Sequence, residues 1–172
     1  LGRWILENTA VKTFTIPDGV SEIPASCFYG SAITAMVVPA SVTSIGAWAF
    51  ENPYYDNGNK SYLTSVTFTG TGVTEIPEGC FIYQKSLSSI NLPEGVTTIG
   101  ADAFNQCQIS ALTLPSSLEV IGQRAFSNNG ITSLVIPDKV KRIDFSAFAY
   151  NDLETIDLPA SIEVLASTAF HW

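Results

Sequence analysis

The sequence predicts a repeat solenoid, a stack of short coils with one parallel β-sheet along one side. A phrase of sixteen residues recurs: one copy reads ALTLPSSLEVIGQRAF (111–126) and the next reads SLVIPDKVKRIDFSAF (133–148). Seven copies are present, and five of the six steps between their closing phenylalanines are 22 or 23 residues. The closing residues are Phe28, Phe50, Phe81, Phe104, Phe126, Phe148 and Phe170. This regular spacing indicates structural periodicity.

The first half of each copy predicts a short β-strand. Apolar residues alternate at its fourth and sixth positions, as at Leu112 and Leu114, which is typical of a strand with one buried face. A proline follows in most copies, as at Pro115. Because proline has no N–H to donate to a neighbouring strand, it ends the strand in each coil.

The second half of each copy brings further apolar residues to the interior. In one copy these are Leu118 and Ile121, followed by Ala125 and Phe126. Too few residues remain for a full helix, so we expect short extended or single-turn 3₁₀ segments opposite the sheet. A single coil cannot bury its own apolar side, whereas stacked coils cover one another.

When the copies are aligned, residues at the same position of the repeat form a column. Two further columns, besides the apolar ones, keep residues of a similar kind. A glycine follows the isoleucine in some copies, as at Gly46, but Pro24 and Pro77 replace it elsewhere. Proline keeps φ negative, so close packing explains the column better than a need for positive φ. A polar or small residue also stands three positions after the phenylalanine, and we expect this column to bind backbone groups of the turn. Its members include Ser31, Cys107, Asn129 and Asn151.

These columns resemble the leucine-rich repeat, whose strand signature is L-x-x-L-x-L. The BspA-type repeats of bacterial surface proteins are more similar still, with their LP…L..IG..AF phrasing, which 89–104 and 111–126 carry nearly complete. The resemblance implies a right-handed superhelix, with the parallel sheet on its concave side and the short extended or 3₁₀ segments on its convex side. It also implies an extracellular or cell-surface protein concerned with binding and adhesion.

The domain organisation follows from the repeats. We expect residues 1–172 to form a single leucine-rich-repeat array, with a partial repeat at 1–10 and seven repeats of about 22 residues at 11–172. Neither end shows a polar capping coil, so additional repeats or domains beyond both ends are expected.

Composition excludes several classes of partner. Sixteen acidic residues against eight basic ones give a net charge of −8, which argues against nucleic acid, whose binding depends on neutralising phosphates. No apolar run approaches the roughly 18 residues of a membrane span, so no membrane insertion is expected.

The residues that carry chemistry do not form a recognisable site. Cys27 and Cys80 are predicted to lie two coils apart, about 10 Å at the strand spacing, which is too far for a disulfide. With Cys107 they are expected to be buried thiols. His171 has no nucleophile pattern around it, and the segment DNGN (56–59) lacks the spaced carboxylates of a calcium loop. The sequence therefore predicts no catalytic, cofactor-binding or metal-binding residues, and no enzyme.

One irregularity stands out, an insertion at 51–62 that carries Tyr54, Tyr55 and Tyr62. Insertions in solenoids map to one rim and often mark binding, and tyrosine supplies contact area at low entropic cost. Tyr83 in the next coil extends the same rim. These four tyrosines are the candidate partner-binding residues. The alternative is a tolerated loop whose tyrosines cover the edge of the core.

Two functions remain open from the sequence. The first is a non-catalytic binding and adhesion module of a bacterial surface or secreted protein, with a protein or a glycan as its macromolecular partner. The second is a structural spacer, a stiff rod of about 34 Å for seven coils, that displays another domain. No cofactor is implied by either.

Overall fold

The computed structural model describes residues 1–53 and 61–171. Within that part of the chain, the regular structure consists of thirteen short strands and no helix. The strands are β1 (Glu22–Ile23), β2 (Ala35–Val38), β3 (Ser44–Ile45), β4 (Ser65–Phe68), β5 (Glu75–Ile76), β6 (Ser89–Asn91), β7 (Thr98–Ile99), β8 (Ala111–Thr113), β9 (Val120–Ile121), β10 (Ser133–Val135), β11 (Arg142–Ile143), β12 (Thr155–Asp157) and β13 (Val164–Leu165). Their parallel stacking confirms the predicted solenoid.

The even-numbered strands lie next to one another from coil to coil, as predicted, and hydrogen-bond in three parallel pairs. Parallel pairing joins β2 to β4, β6 to β8 and β10 to β12, with each residue opposite its counterpart in the next repeat. Met36 faces Val66, and Leu134 faces Ile156. Strand β2 ends at Val38, immediately before a proline. The strand predicted from the fourth and sixth positions is therefore confirmed.

The odd-numbered strands form a second parallel ladder. Strands β5, β7, β9, β11 and β13 make one five-stranded sheet, and β1 pairs with β3. All but the last strand, β13, contribute the isoleucine of the second half-repeat to the core, as Ile99 and Ile121 do side by side. The predicted extended segments are thus present, and the structure adds that they hydrogen-bond to one another from coil to coil.

A single file of phenylalanines runs through the core. The seven closing phenylalanines stack coil upon coil, with adjacent ring centroids 5.0–5.6 Å apart and ring planes within 18° of parallel. Phe104 and Phe126 are completely buried. Each ring between the two ends of the file contacts the rings above and below it, so the repeated phenylalanine reflects a shape that every coil must match.

The turns around these phenylalanines form a third ladder. Arg124 donates its backbone N–H to Phe145 O (3.1 Å), and Asn128 donates to Ala149 O (2.9 Å). Both donors have positive φ, 52° and 56°. The same conformation recurs two residues before the phenylalanine position along the array, at Trp4, Ser26, Trp48, Gly79, Asp102, Arg124, Ser146 and Thr168.

The glycine column is explained by close packing, as predicted. A Cβ atom on Gly100 would lie 2.6 Å from Glu78 N, and one on Gly122 would lie 2.8 Å from Ala101 N. Neither glycine has positive φ. The backbone of one coil therefore rests directly on the backbone of the previous coil at these positions.

The polar column also behaves as predicted. Asn129 Nδ2 donates to Phe104 O (2.9 Å) in the preceding coil and to Phe126 O (3.1 Å) in its own. Asn129 Oδ1 accepts from Ile109 N at 2.9 Å. Asn151 repeats this arrangement one coil later. The amide side chains thus satisfy turn carbonyls that the ladders leave free.

Burial depends on the neighbouring coil, as stacking requires. Leu134 is 2% exposed, whereas Ile156, its counterpart in the last coil, is 41% exposed. Ile143 and Leu165 show the same contrast, at 0% and 49%. At the other end, Leu6 N donates to Cys27 O and Asn8 N to Tyr29 O, which extends the turn ladder by one coil.

Candidate binding site at the insertion

The insertion begins next to Asn52, which is hydrogen-bonded to the following coil. Asn52 is buried, its backbone N–H donates to Ile82 O (3.1 Å), and its Nδ2 donates to Tyr83 O (3.3 Å). Pro53 follows directly. The outgoing end of the insertion is therefore bound to the coil that comes after it.

The returning end is bound to the same coil. Ser61 Oγ donates to Gln84 Oε1 (2.8 Å) and accepts from Ser86 N (3.1 Å), while Ser86 Oγ donates to Ser61 O (2.7 Å). Gln84 is itself fixed, because its Nε2 donates to Phe50 O at 2.6 Å. Both ends of the insertion are thus anchored, and the described residues on either side of 54–60 form a hydrogen-bonded base.

A surface pocket of about 670 Å³ opens beside this base. Tyr62 and Pro53 form one side, and the turns of the first two coils form the other. Gly30 helps to keep the pocket open, because a Cβ atom there would collide with the Asn8 side chain and lie 3.2 Å from Pro53 Cγ. The lining residues are Asn8, Thr9, Ala10, Lys12, Tyr29, Gly30, Ala32, Pro53 and Tyr62.

The electrostatics of the pocket centre on Tyr29. Burial raises the pKa of its phenol, and the nearby carboxylates of Glu51 and Glu7 raise it further. Burial also raises the pKa of Glu51. Tyr29 therefore remains a neutral phenol across the physiological range and can donate a hydrogen bond to a ligand.

The four predicted tyrosines have different places in the structure. Tyr62 lines the pocket and is 36% exposed. Tyr83 is half-buried in the next coil, where its backbone carbonyl accepts the bond from Asn52, and it does not line the pocket. Tyr54 and Tyr55 lie outside the described residues. Their role as partner-binding residues stays a prediction.

Sequence reasoning missed two aromatic residues next to the insertion. Tyr29 follows Phe28 directly, and the insertion begins at the same position of the next repeat, directly after Phe50. This shared position could have indicated that Tyr29 lies near the insertion. Trp48 is 39% exposed, and its indole lies against the turn at Gly79, where an added Cβ would collide with it. Glycine at 79 therefore provides the space for this ring.

The cysteines are buried, as predicted. Cys27, Cys80 and Cys107 are free thiols, each at most 1% exposed. Burial raises the pKa of Cys27 to about 11 and also raises the pKa values of Cys80 and Cys107. Cys107 Sγ lies 3.2 Å from Phe81 O, in the column that holds Asn129 and Asn151. These thiols act as small core residues.

Other chemistry is sparse in the described ranges. No three His, Cys, Asp or Glu side chains there come together as a metal site would require. Within the same ranges, no helix is both long and apolar enough to traverse a bilayer. The segment DNGN (56–59) lies outside them.

The coil geometry, with its parallel strand ladder and L-x-x-L-x-L columns, defines a leucine-rich-repeat solenoid. A profile of the family described as "BspA type Leucine rich repeat region" matches residues 1–57 and 55–172, in six copies. The chain belongs to this BspA-type leucine-rich-repeat family. No curated protein matches it.

Solved structures with the same fold come from several bacteria. The leucine rich repeat protein of T. pallidum shares 26% identity, with a TM-score of 0.72 over 91% of this chain and 72% of that one. A leucine-rich repeat protein from Bacteroides ovatus shares 26% identity over 78% of this chain (TM-score 0.58). A leucine rich cell surface protein from Faecalibacterium prausnitzii shares 30% identity over 90% of this chain (TM-score 0.56). The chain spans 39% and 34% of the lengths of the latter two.

Proposed function

We propose that this chain is a non-catalytic binding and adhesion module of a bacterial surface or secreted protein. Its family supports this, as does its similarity to a Faecalibacterium prausnitzii protein described as a cell surface protein. In this proposal residues 1–172 act as a single array. The partner is a macromolecule outside the cell, bound at the rim that carries the 51–62 insertion.

One observation carries the proposal: a tyrosine-lined pocket opens beside an insertion whose two ends are both anchored. Pockets of this size accept small ligands or single units of a polymer, and they are effective when their walls are rigid. Here the walls belong to hydrogen-bonded coils, and the insertion starts and ends on the buried Asn52 and on Ser61. The described walls of the pocket are thus held in place before binding, which favours affinity.

The test compares two variants for binding to fixed epithelial cells and fixed bacterial cells, read by flow cytometry of the labelled chain. Replacing Tyr54, Tyr55 and Tyr62 by alanine is expected to abolish cell binding without lowering the melting temperature. Tyr150→Ala is the matched control, because Tyr150 is an exposed tyrosine (57%) in a distant coil. Binding that survives the triple replacement, or no binding by the unmodified chain, contradicts the proposal.

The spacer function is the second candidate, and the continuous phenylalanine stack favours it. Seven rings in contact, with no break at the insertion, make a rod that resists bending. If the array is only a spacer, a fused domain keeps its activity when the insertion is deleted and loses it when two coils are removed. If the array is a binding module, deletion of the insertion abolishes cell binding, and the activity of a fused domain does not depend on the number of coils.

A further inference from the structure

The pocket beside the insertion has a lining unlike that of a peptide groove. Tyr29 and Tyr62 supply two aromatic rings, while Asn8, Thr9 and Lys12 supply an amide, a hydroxyl and an ammonium group. Among the described residues, no Leu, Ile, Val, Met or Phe side chain lines it. The pocket therefore offers aromatic surface and hydrogen-bonding groups together, and its aliphatic side chains are the short ones of Ala10 and Ala32 and the ring of Pro53.

Among the residues that the structure describes, the charges around the pocket are not balanced. Lys12 is the cationic residue of the lining. Glu7 and Glu51 both lie near enough to Tyr29 for their negative charges to act on its phenol. Two carboxylates against one ammonium disfavour an anionic ligand at this place. A neutral ligand with many hydroxyl groups meets no such penalty.

We propose that this pocket binds a neutral saccharide unit of a glycan chain. This inference rests on the proposed function and names its partner class. The C–H groups of a sugar ring pack on tyrosine rings, and its hydroxyls exchange hydrogen bonds with amide, hydroxyl and ammonium groups. The volume of about 670 Å³ lies within the usual range for small-molecule sites, about 300–1,000 Å³, so it accepts one or a few sugar units.

Other occupants fit the lining less well. A peptide that adds a strand needs a free sheet edge, and a helical peptide needs an apolar groove. The described lining residues lie in turns and connections, outside the strands, and their only aliphatic side chains are two alanines and Pro53, which do not make the apolar groove of a helix site. A proline-rich peptide remains the competitor with the most in common, since it docks between aromatic rings. The three polar side chains of the lining favour the sugar.

The experiment titrates the 172-residue chain by isothermal calorimetry with defined probes. The neutral probes are tetra-N-acetylchitotetraose, mannotetraose and lacto-N-tetraose; the others are 3′-sialyllactose and a proline-rich decapeptide. Saturable binding of at least one neutral oligosaccharide is expected. Tyr29→Ala should weaken it about tenfold, equivalent to 1.4 kcal/mol, while Tyr29→Phe, which keeps the ring, should weaken it less. Tyr150→Ala should leave it unchanged.

The outcomes separate this inference from the proposed function. If no neutral probe binds, if 3′-sialyllactose binds more tightly, or if only the decapeptide binds, the saccharide inference is overturned. Should cell binding nevertheless depend on the insertion tyrosines, the proposed function stands without it. Should saccharide binding respond equally to Tyr29→Ala and Tyr150→Ala, the pocket is not the site. A melting temperature recorded for each variant excludes loss of folding, and Tyr29→Phe provides the test if Tyr29→Ala unfolds.

Discussion

The regular coils and the coil that carries the insertion satisfy the same backbone groups in different ways. In the regular coils, Asn129 and Asn151 bind the phenylalanine carbonyl of the preceding coil. At the insertion, the residue in this column is Pro53, which has no amide to offer. In the next coil, Gln84 Nε2 donates to Phe50 O, and Gln84 Oε1 accepts a hydrogen bond from Ser61 Oγ.

This difference shows which part of the repeat is constrained. Across the insertion, the rings of Phe50 and Phe81 still stack at 5.1 Å and 7°, as they do elsewhere. The inner contacts are therefore unchanged, while hydrogen bonds at the rim have moved from asparagine to a longer glutamine and a serine of the insertion. The array tolerates new sequence at this rim because its stability comes from the stack within.

The largest expected effect comes from breaking the stack in the regular region. Phe126→Ala removes a fully buried ring that contacts two others, and should lower the free energy of unfolding by about 3–5 kcal/mol. Phe145→Ala is the control, since Phe145 is 46% exposed and should cost under about 1 kcal/mol. Urea unfolding followed by circular dichroism measures both. Similar losses for the two variants would mean that the ring stack is not the main source of stability.

A smaller effect should distinguish the two kinds of rim bond. Asn129→Ala leaves Ile109 N without its partner and removes one donor each from Phe104 O and Phe126 O, so it should cost about 1–3 kcal/mol, measured by urea unfolding. Gln84→Ala should cost less overall but should speed hydrogen exchange at Ser86, whose N–H binds Ser61. The expected difference is one of location, with a global loss for Asn129→Ala and a local one for Gln84→Ala. Exchange that rises throughout the array in the Gln84 variant contradicts this comparison.

The sequence predicts the inner columns well because stacked coils need similar residues at the same position. Phe126, Gly122 and Asn129 each touch their counterparts or the adjoining backbone, so their identity recurs and can be recognised. The second ladder was not predicted as such, since two residues like Val120–Ile121 are too few for a strand signal and pair only because neighbouring coils align them. Positive φ at Arg124 left no signal either, because that column mixes many residue types.

The binding rim was only partly predictable, for a related reason. Tyr62 is recognisable in the sequence because it lies in the insertion that breaks the repeat. Tyr29 lies one coil earlier, and the pocket that joins it to Pro53 and Asn8 combines residues from three coils. The 31-residue step between Phe50 and Phe81 interrupts the period at this place, so column reasoning does not bring these residues together.

The buried thiols should make the array sensitive to alkali. Burial raises the pKa of Cys27 from 9.0 to about 11 and raises those of Cys80 and Cys107 as well. Below pH 9 the thiols are protonated in both states, so their contribution to stability is fully present there. From pH 9 upward the unfolded chain ionises first, and the free energy of unfolding should fall by about 1.4 kcal/mol per pH unit for each thiol, through pH 11 for Cys27.

Urea unfolding between pH 7 and 10.5 measures this dependence. Cys80→Ala is the matched variant, because alanine fills the same column at Ala103 and Ala125 and removes one titrating group. It should flatten the alkaline decline at little cost at pH 7. At pH 8 a thiol reagent should label the unfolded chain and leave the native chain unmodified. Rapid labelling of all three native thiols would contradict their burial on both sides of the insertion.

The smallest expected effect concerns the turn ladder, which the two regions share. Ser26 has a φ of 55°, a conformation that costs a residue with a side chain about 1–2 kcal/mol relative to glycine. Ser26→Gly relieves this cost but increases the freedom of the unfolded chain, so a net gain of about 0.5–1 kcal/mol is expected in urea unfolding. Ser44→Gly, in strand β3, gains nothing from positive φ and should lose about the same amount. Gains at both positions, or losses at both, would show that the positive φ of Ser26 does not carry this cost.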